Sequence, residues 1–390
     1  MSELPTNPFR YETIDARPEV INRVSDRQRL REALSEPGRR LLIHGRRRMG
    51  KTTLCKSVVE ELKAEGLAVM MVDFSTATQL ADLSNALLQQ ITTASGKNWQ
   101  DYLGDLMRAL TLQLETEADP LTGAIKVRLK PVARTAPIDE QRATFVGILD
   151  RANELAKQQG RHFGLVIDEF QELARFEDEA TLWNLRAVIQ HHSNMSYVFT
   201  GSRVHLINML MSSDRAFYKM FSAINFEPVP LQEMRNWLVG KFKASGVSQL
   251  DALDRLLELA ETCTVDRLRL AAMSFPLAAA SGELTEPMVD RAYRAIIAED
   301  QAYFQSDWQQ FTQHQQNILR AMAEGEMKLG SESVRRRFSL PASGSVSNTL
   351  KALLERGVLY GIESAPGYAY DNPYFKEWVH QRNRLDLGLS

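Results

Sequence analysis

Apolar runs alternate with longer amphipathic stretches in the N-terminal part of the chain. The runs are almost free of charged residues, which predicts strands buried on both faces, and the stretches between them have helical periodicity. The runs that predict core strands are Leu41–Ile43, Ala68–Asp73, Leu165–Ile167, Tyr197–Thr200 and Ile224–Phe226. Strands that alternate with helices favour an α/β fold, in which a parallel sheet is sandwiched by helices.

The pattern changes at Pro228 and Pro230, where the chain leaves the predicted sheet. From Gln232 to Asp300 the periodicity is helical throughout, which predicts an all-helical lid. Beyond Trp308, three short helical stretches and two short strands predict a winged helix-turn-helix. We therefore expect a sheet domain at residues 1–229, a helical lid at 230–304 and a winged helix at 305–390.

The segment after the first predicted strand fits the phosphate-binding loop pattern G-x-x-x-x-G-K-[ST]. Its glycines let backbone N–H groups surround a triphosphate, and the following helix adds its positive N-terminal dipole. Lys51 is expected to reach the β- and γ-phosphates, Thr52 to ligand Mg²⁺, and Thr53 to approach the α-phosphate. The predicted nucleotide-binding residues here are Gly45, Arg46, Arg47, Arg48, Met49, Gly50, Lys51, Thr52 and Thr53. The alternative is a strand–helix turn with an incidental lysine.

Two carboxylates end the predicted strand Leu165–Ile167, in the arrangement of a Walker B element. Asp168 is expected to hold the Mg²⁺ shell, and Glu169 to polarise the attacking water as general base. The alternative is an acidic strand end that opens a solvated loop. A phosphate loop earlier in the same chain favours the catalytic interpretation.

Polar residues also follow the predicted strand Tyr197–Thr200. Thr200, Ser202 and Arg203 are candidate sensors of the γ-phosphate, and Arg203 is a candidate arginine finger in cis. The alternatives are a surface arginine that opens the next helix and a strand-end hydroxyl bonded to backbone.

Composition narrows the function classes. The 390 residues allow two or three domains, and a net charge of −2 argues against an overall basic nucleic-acid binder, though not against a local basic face. The two cysteines, Cys55 and Cys263, fit a reducing cytosol and no disulfide framework. His191 and His192 lack metal-ligand spacing, so Mg²⁺ is the one metal expected. With no signal core and no apolar run of membrane length, a cytoplasmic protein is expected.

The winged helix carries the candidate DNA contacts. Its third predicted helix, Ser345 to Arg356, begins with small polar residues suited to a major groove. The predicted contact residues are Ser347, Asn348 and Thr349 for the major groove, and Arg335, Arg336, Arg337 and Lys351 for phosphates. The alternative is that this module docks on its own ATPase domain or on a partner protein.

Weaker candidates lie outside these motifs. Phe9, Ile21 and Arg23 precede the first strand and either cover an adenine or simply pack. Arg267 and Arg269 on the lid either reach a nucleotide or lie on a solvated helix face. The segment Ile125–Lys130 alternates apolar and basic residues, which predicts a half-buried strand or edge hairpin.

The stretches HGRRRMGKTTL, LVIDEFQEL, IQHHSNMSYVFTGSR and RAFYKM carry a resemblance to a known family. The chain resembles the archaeal-type P-loop ATPases of the AAA+/STAND group, relatives of the origin-recognition ATPases. The resemblance implies binding and hydrolysis of ATP with Mg²⁺. Two features depart from it: Met220 stands where members often carry an arginine, and the lid lacks their Gly-x-Pro signature.

Together these features predict a Mg²⁺-dependent ATPase that switches with its nucleotide and acts on DNA or a DNA-bound partner. The first alternative is a nucleotide switch that hydrolyses weakly or not at all and binds a protein partner. The second is a ring-forming motor or loader, which needs a trans-acting cation such as Arg215 or Lys219.

Overall fold

A computed structural model of the chain describes residues 5–11, 21, 23–95, 113–118, 125–130, 136–176, 179–202, 207, 209–362 and 367–386. The chain forms two compact units. The sheet unit comprises Asp15–Gly45 and Lys51–Phe226. The helical unit comprises Met1–Ile14, Arg46–Gly50 and Glu227–Ser390, so it includes five residues of the phosphate-loop motif.

A five-stranded parallel sheet forms the core of the sheet unit, as the apolar runs predict. Its strands are β1 (Arg40–His44), β2 (Ala68–Asp73), β5 (Phe163–Asp168), β6 (Met195–Gly201) and β7 (Ser222–Asn225). They pair in the order β2-β5-β6-β1-β7. Strands β5 and β6 are buried along their whole length because they lie inside the sheet. The carboxyl ends of β5, β6 and β1 therefore lie side by side.

Helices follow most of these strands, as expected for a parallel sheet. They are α1 (Val24–Ser35), α2 (Lys51–Ala64), α3 (Leu80–Ser95), α4 (Ile138–Gln158) and α5 (Glu179–Ile189). A 3₁₀ segment, Phe170–Phe176, comes directly after β5. Helix α2 buries Leu54, Cys55, Val58 and Leu62.

A separate two-stranded sheet lies between helices α3 and α4 in the chain. Strand β3 (Gln113–Ala118) pairs antiparallel with β4 (Ile125–Lys130), with Gln113 opposite Lys130. The strand predicted at 125–130 is thus present.

The helical unit contains the predicted lid and winged helix. Its helices are α6 (Leu231–Ala244), α7 (Leu253–Leu259), α8 (Thr264–Ser281), α9 (Glu286–Gln309), α10 (Gln313–Ala323), α11 (Glu332–Arg337), α12 (Ser343–Glu355) and α13 (Pro373–Asp386). Antiparallel strands β8 (Leu359–Gly361) and β9 (Tyr368–Tyr370) form the wing. Helix α9 runs without a break across residue 305, so the division between lid and winged helix stays a prediction.

The N-terminal segment packs on the lid helix α8. Pro276 lies inside this helix and has no N–H, which frees the carbonyl of Ala272 from its helical hydrogen bond. The Asn7 side chain donates to that carbonyl over 2.9 Å. Phe9 is buried against Trp237, Phe242 and Phe275. Of the two roles considered for Phe9, the structure shows packing.

Candidate functional site

The candidate site begins at Gly45, directly after β1. The Gly45 N–H donates to the carbonyl of Gly201 at the end of β6 (3.3 Å). A β-carbon on Gly45 would lie 2.5 Å from the carbonyl oxygen of Phe226, so a larger residue has no room here. Gly50 has a φ of 97°, which only glycine adopts readily, and the chain then enters helix α2 at Lys51.

Lys51 is buried in the first turn of α2. Its ammonium group donates to the carbonyl of Gly45 over 2.8 Å, so the lysine and the first glycine of the motif are in direct contact. Thr53 follows in the same turn and is half-buried. The phosphate-binding roles of these residues stay predictions, since they concern a nucleotide.

A buried carboxylate joins the ends of three elements. Asp168 Oδ2 accepts a hydrogen bond from the Thr52 hydroxyl (2.7 Å), and Asp168 Oδ1 accepts one from Thr200. Burial raises the pKa of Asp168, while the hydrogen bonds from Thr200 and Thr52 lower it, and the charges of Glu169 and Asp73 raise it further. The structure thus brings together two residues assigned to Mg²⁺ and one assigned as a sensor.

Glu169 adopts a left-handed backbone conformation, with a φ of 53°. Side chains other than glycine rarely adopt this region, and such strain persists only where neighbouring contacts hold it. The Glu169 carboxylate accepts hydrogen bonds from Ser202 Oγ (2.8 Å) and from the side chain of Gln171. Gln171 is fully buried and was not among the sequence candidates. Arg203 lies outside the described residues.

The loop arginines contact the rest of the helical unit. Arg46 Nη1 donates to Thr262 Oγ1 (2.9 Å), Arg46 Nε lies 3.2 Å from Asp371 Oδ1, and its guanidinium stacks on Tyr360. Arg48 Nη2 lies 2.5 Å from Asp266 Oδ1. Met49 is buried and Arg47 is exposed. The sequence analysis predicts that the backbone of these residues binds phosphate. It does not predict these side-chain contacts.

The lid arginines are not on a solvated face. Arg267 is buried and donates to the carbonyls of Glu261 (2.6 Å) and Val229 (3.5 Å). Arg269 binds both carboxylate oxygens of Asp300, at 2.5 and 3.0 Å. The expectation of a solvated helix is therefore wrong for both, because each guanidinium is committed to contacts inside the helical unit.

The candidate DNA-binding residues lie on α11 and α12. Ser347 and Asn348 are exposed on α12, while Val346, Leu350 and Leu353 on its other face are buried. Arg335 donates to the carbonyl of Pro341 (3.0 Å). The remaining basic candidates each pair with a nearby acid: Arg336 with Glu332, Arg337 with Glu326 and Lys351 with Glu355.

The donor set suits a magnesium ion that is shared with a nucleotide. Among the described residues, no group of three or more His, Cys, Asp and Glu side chains is arranged to hold a metal alone. Mg²⁺ in such sites takes one or two protein oxygens and completes its shell with phosphates and water. A threonine hydroxyl and a buried carboxylate in contact, as in Thr52 and Asp168, match this requirement.

Comparison with known proteins agrees with this organisation. Residues 35–210 match a family model described as AAA domain, and residues 302–381 match one described as probable winged helix domain. No curated protein matches the sequence. Within the described residues, none of the helices has the length and apolar character needed to cross a membrane.

Several solved structures share the fold at low identity. The Walker-type ATPase PABY2304 of Pyrococcus abyssi is 14% identical, with a TM-score of 0.63 over 94% of this chain and 99% of that chain. The ORC2 protein of Aeropyrum pernix, solved in ADPNP–ADP complexes, is 16% identical, with a TM-score of 0.59 over 98% and 100%. The ORC1 protein of the same organism, solved with DNA, is 15% identical, with a TM-score of 0.50 over 96% of each chain.

The chain shares its fold with these structures, and the AAA match over the sheet and the phosphate-loop motif supports nucleotide binding. The chain therefore contains an AAA domain at residues 35–210 and, C-terminal to it, a winged helix domain at residues 302–381.

Proposed function

We propose that the protein is a Mg²⁺-dependent ATPase that converts ATP and water to ADP and phosphate. The observation that carries this proposal is the contact of Thr52 with Asp168, with Glu169 next in the chain. A hydroxyl at the start of α2 and two carboxylates at the end of β5 are the groups that hold a metal and activate a water.

Each residue has a distinct part in this proposal. Lys51 binds the β- and γ-phosphates, while Thr52 and Asp168 hold Mg²⁺, which offsets charge on the phosphates when bound. Glu169 takes a proton from the attacking water. The hydrogen bonds from Ser202 and Gln171 fix the direction of the Glu169 carboxylate.

Steady-state hydrolysis by the purified chain tests the enzymatic part. Removing a general base typically costs about 10²–10⁴-fold in rate, so Glu169→Gln should abolish turnover while ATP still binds. Glu65→Gln, at an exposed surface ion pair with Arg31, is the matched control and should keep the wild-type rate. Equal rates for Glu169→Gln and wild type would refute the hydrolysis proposal.

The winged helix is proposed to act on DNA under nucleotide control. Support comes from the exposed Ser347 and Asn348 on α12, and from a similar fold in an ORC1 protein solved with DNA. Arg335, Arg336, Arg337 and Lys351 would contact phosphates, and a nucleotide-dependent rearrangement would change DNA affinity or assembly state.

A second function is favoured by the charge pairing on the winged helix. Glu332, Glu326 and Glu355 offset the charges of Arg336, Arg337 and Lys351, which weakens the attraction to a polyanion. A winged helix of this kind suits a protein partner, with the nucleotide as the switch and hydrolysis slow or absent.

Duplex DNA binding at several salt concentrations separates the two functions. A DNA interface predicts that log K falls steeply with log salt, and that Arg336→Ala with Arg337→Ala lowers the slope by roughly one to two. Binding that is undetectable at low salt, with or without ATP, would support the protein-binding switch. An affinity and assembly state that ATP leaves unchanged would refute nucleotide control.

A further inference from the structure

Two arginines of the phosphate-loop motif, Arg46 and Arg48, have side chains that contact other residues of the helical unit. Arg46 packs with its guanidinium 3.3 Å from the centre of the Tyr360 ring in strand β8. Its nitrogens also contact Thr262 Oγ1 at 2.9 Å, Asp371 Oδ1 at 3.2 Å and the Asp371 carbonyl at 3.5 Å. The side chains of Arg46 and Asp371 are 15% and 16% exposed. This shielding makes a stacked, charge-assisted contact stronger than a surface ion pair.

Arg48 is held through both its side chain and its backbone. Its guanidinium faces Asp266, which is fully buried, at 2.5 Å. Its carbonyl accepts hydrogen bonds from the Val265 N–H (3.2 Å) and from the Cys263 thiol (3.2 Å). Arg48 has a φ of 62°, a conformation that costs a non-glycine residue energy unless neighbouring contacts over-determine it.

The hydrogen bonds to the Arg48 carbonyl also set the direction of the next N–H. A trans peptide is planar, so its C=O and the following N–H point in opposite directions. With the Arg48 carbonyl directed at Val265 and Cys263, the Met49 N–H points away from that turn. Backbone N–H groups are the phosphate ligands of such a loop, so the helical unit orients one of them.

The turn that binds Arg48 is itself fixed by the last helix of the chain. The Tyr374 hydroxyl on α13 donates to the Asp266 carbonyl over 2.8 Å. Lys376, also on α13, pairs with Glu261 at 3.0 Å. Residues of the winged helix therefore contact Arg46 directly through Tyr360 and Asp371, and support the Arg48 pocket through α13.

We propose that Arg46 and Arg48 are positioning residues, which hold the phosphate loop against the wing and against residues 263–266 of the lid. Through these contacts the winged helix sets nucleotide affinity. This inference rests on the proposed nucleotide-binding function. A ligand that moves the wing would act on the loop through these contacts, and by reciprocity nucleotide binding would bias the wing.

The test uses variants in the winged helix, because Tyr360 and Asp371 are not among the residues proposed to contact the nucleotide. Titration of the full chain with a fluorescent ATP analogue and Mg²⁺ gives the affinity. Tyr360→Ala, Asp371→Asn and Arg46→Ala should each weaken binding by about fivefold or more, the lower end of typical coupling between sites. Tyr360→Phe, which keeps the ring, should bind like wild type.

A double-mutant cycle distinguishes positioning from general damage. Arg46→Ala combined with Asp371→Asn should weaken binding no more than the stronger single variant, since both remove one contact. Arg255→Ala removes another arginine–aspartate pair of the helical unit, with Asp290, and is the matched control with unchanged affinity. Circular dichroism confirms that each variant is folded.

The outcomes separate this inference from the function it rests on. If wild type binds no nucleotide, the proposed function fails. If wild type binds and the folded Tyr360→Ala and Asp371→Asn variants bind equally well or more tightly, the positioning role is overturned. Additive losses in the cycle would also overturn it, because they would show that Arg46 and Asp371 act separately.

Discussion

Two buried aspartates, one in each unit, are held in different ways. Asp168 accepts hydrogen bonds from two threonine hydroxyls, whereas Asp266 faces the guanidinium of Arg48. Burial raises the pKa of both, and that of Asp266 reaches about 6 in spite of the arginine. Neutral donors leave the charge of Asp168 available to a cation, while the charge of Asp266 is already used to hold a loop residue.

The largest expected effect is at Asp168. Asp168→Asn keeps the shape but removes the charge that Mg²⁺ requires, so we expect kcat to fall by at least about 10²-fold. Stability should not fall, since burial disfavours the charged form of Asp168. Steady-state hydrolysis and urea unfolding measure the two effects.

Asp266→Asn is the contrasting variant for this measurement. It weakens a positioning contact, so it should raise KM and leave kcat within a few-fold of wild type. If Asp168→Asn and Asp266→Asn lowered kcat alike, the distinction between a metal-holding and a loop-holding carboxylate would be wrong.

The next effect is the pH dependence of stability at Asp266. Its folded pKa of about 6 lies above its ordinary value of 3.8, so between these values the folded state binds a proton that the unfolded state has lost. The free energy of unfolding contributed by this group therefore falls as pH rises through that window, by on the order of 2–3 kcal/mol. The charged groups that act on it are Arg48, Asp371 and Arg269, beside the Cys263 thiol.

Urea unfolding of wild type and Asp266→Asn at pH 4.5 and pH 7 measures this change. Asparagine mimics the neutral carboxyl, so the variant should gain stability relative to wild type as pH rises. A difference between the two proteins that is the same at both pH values would show that burial does not perturb Asp266.

At Gly45, where the chain passes from β1 into the phosphate loop, backbone packing rather than charge limits which side chain fits. In Gly45→Ala the new β-carbon would lie 2.5 Å from the Phe226 carbonyl oxygen, and the backbone must shift. We expect a loss of about 1–3 kcal/mol in the free energy of unfolding, as for other overpacked sites. Gly240→Ala is the matched control, because no atom lies within 4 Å of its β-carbon and it is inside helix α6.

The control should gain roughly 0.5–1 kcal/mol from its helical position. Urea unfolding gives the free energy of unfolding of both variants. A Gly45→Ala protein as stable as Gly240→Ala would show that position 45 tolerates a side chain.

The difference between the Asp168 site and the contacts of the loop arginines also explains which features were predictable from the sequence. The strands and the contact of Thr52 with Asp168 follow from local patterns, because parallel strands place their carboxyl ends at one edge. The contact of Arg46 with Asp371 joins residues 325 positions apart, and no local pattern encodes it. Gln171 also escaped prediction, since its direction depends on the 3₁₀ segment after β5.

One element was missed although a signal existed. Helix α13 carries Tyr374, Phe375, Trp378 and Val379, whose spacing is that of an amphipathic helix, and all four are buried. This helix supports the turn that binds Arg48, through the hydrogen bond from Tyr374 to the Asp266 carbonyl.

The smallest expected effect is at Thr200, and it sharpens the account of Asp168. The buried Thr200 hydroxyl donates to Asp168 Oδ1 and lowers the pKa of that carboxyl against the effect of burial. Thr200→Val removes this donor, while Thr52 still donates to Oδ2, so the pKa of Asp168 should rise further above its ordinary value. The acid limb of kcat/KM should then move to higher pH, with a loss of only a few-fold at pH 7. Thr200→Ser keeps the hydroxyl and should restore the wild-type limb. An acid limb that does not move in Thr200→Val would mean that Asp168 does not control it, and the proposed metal ligand would have to be sought elsewhere.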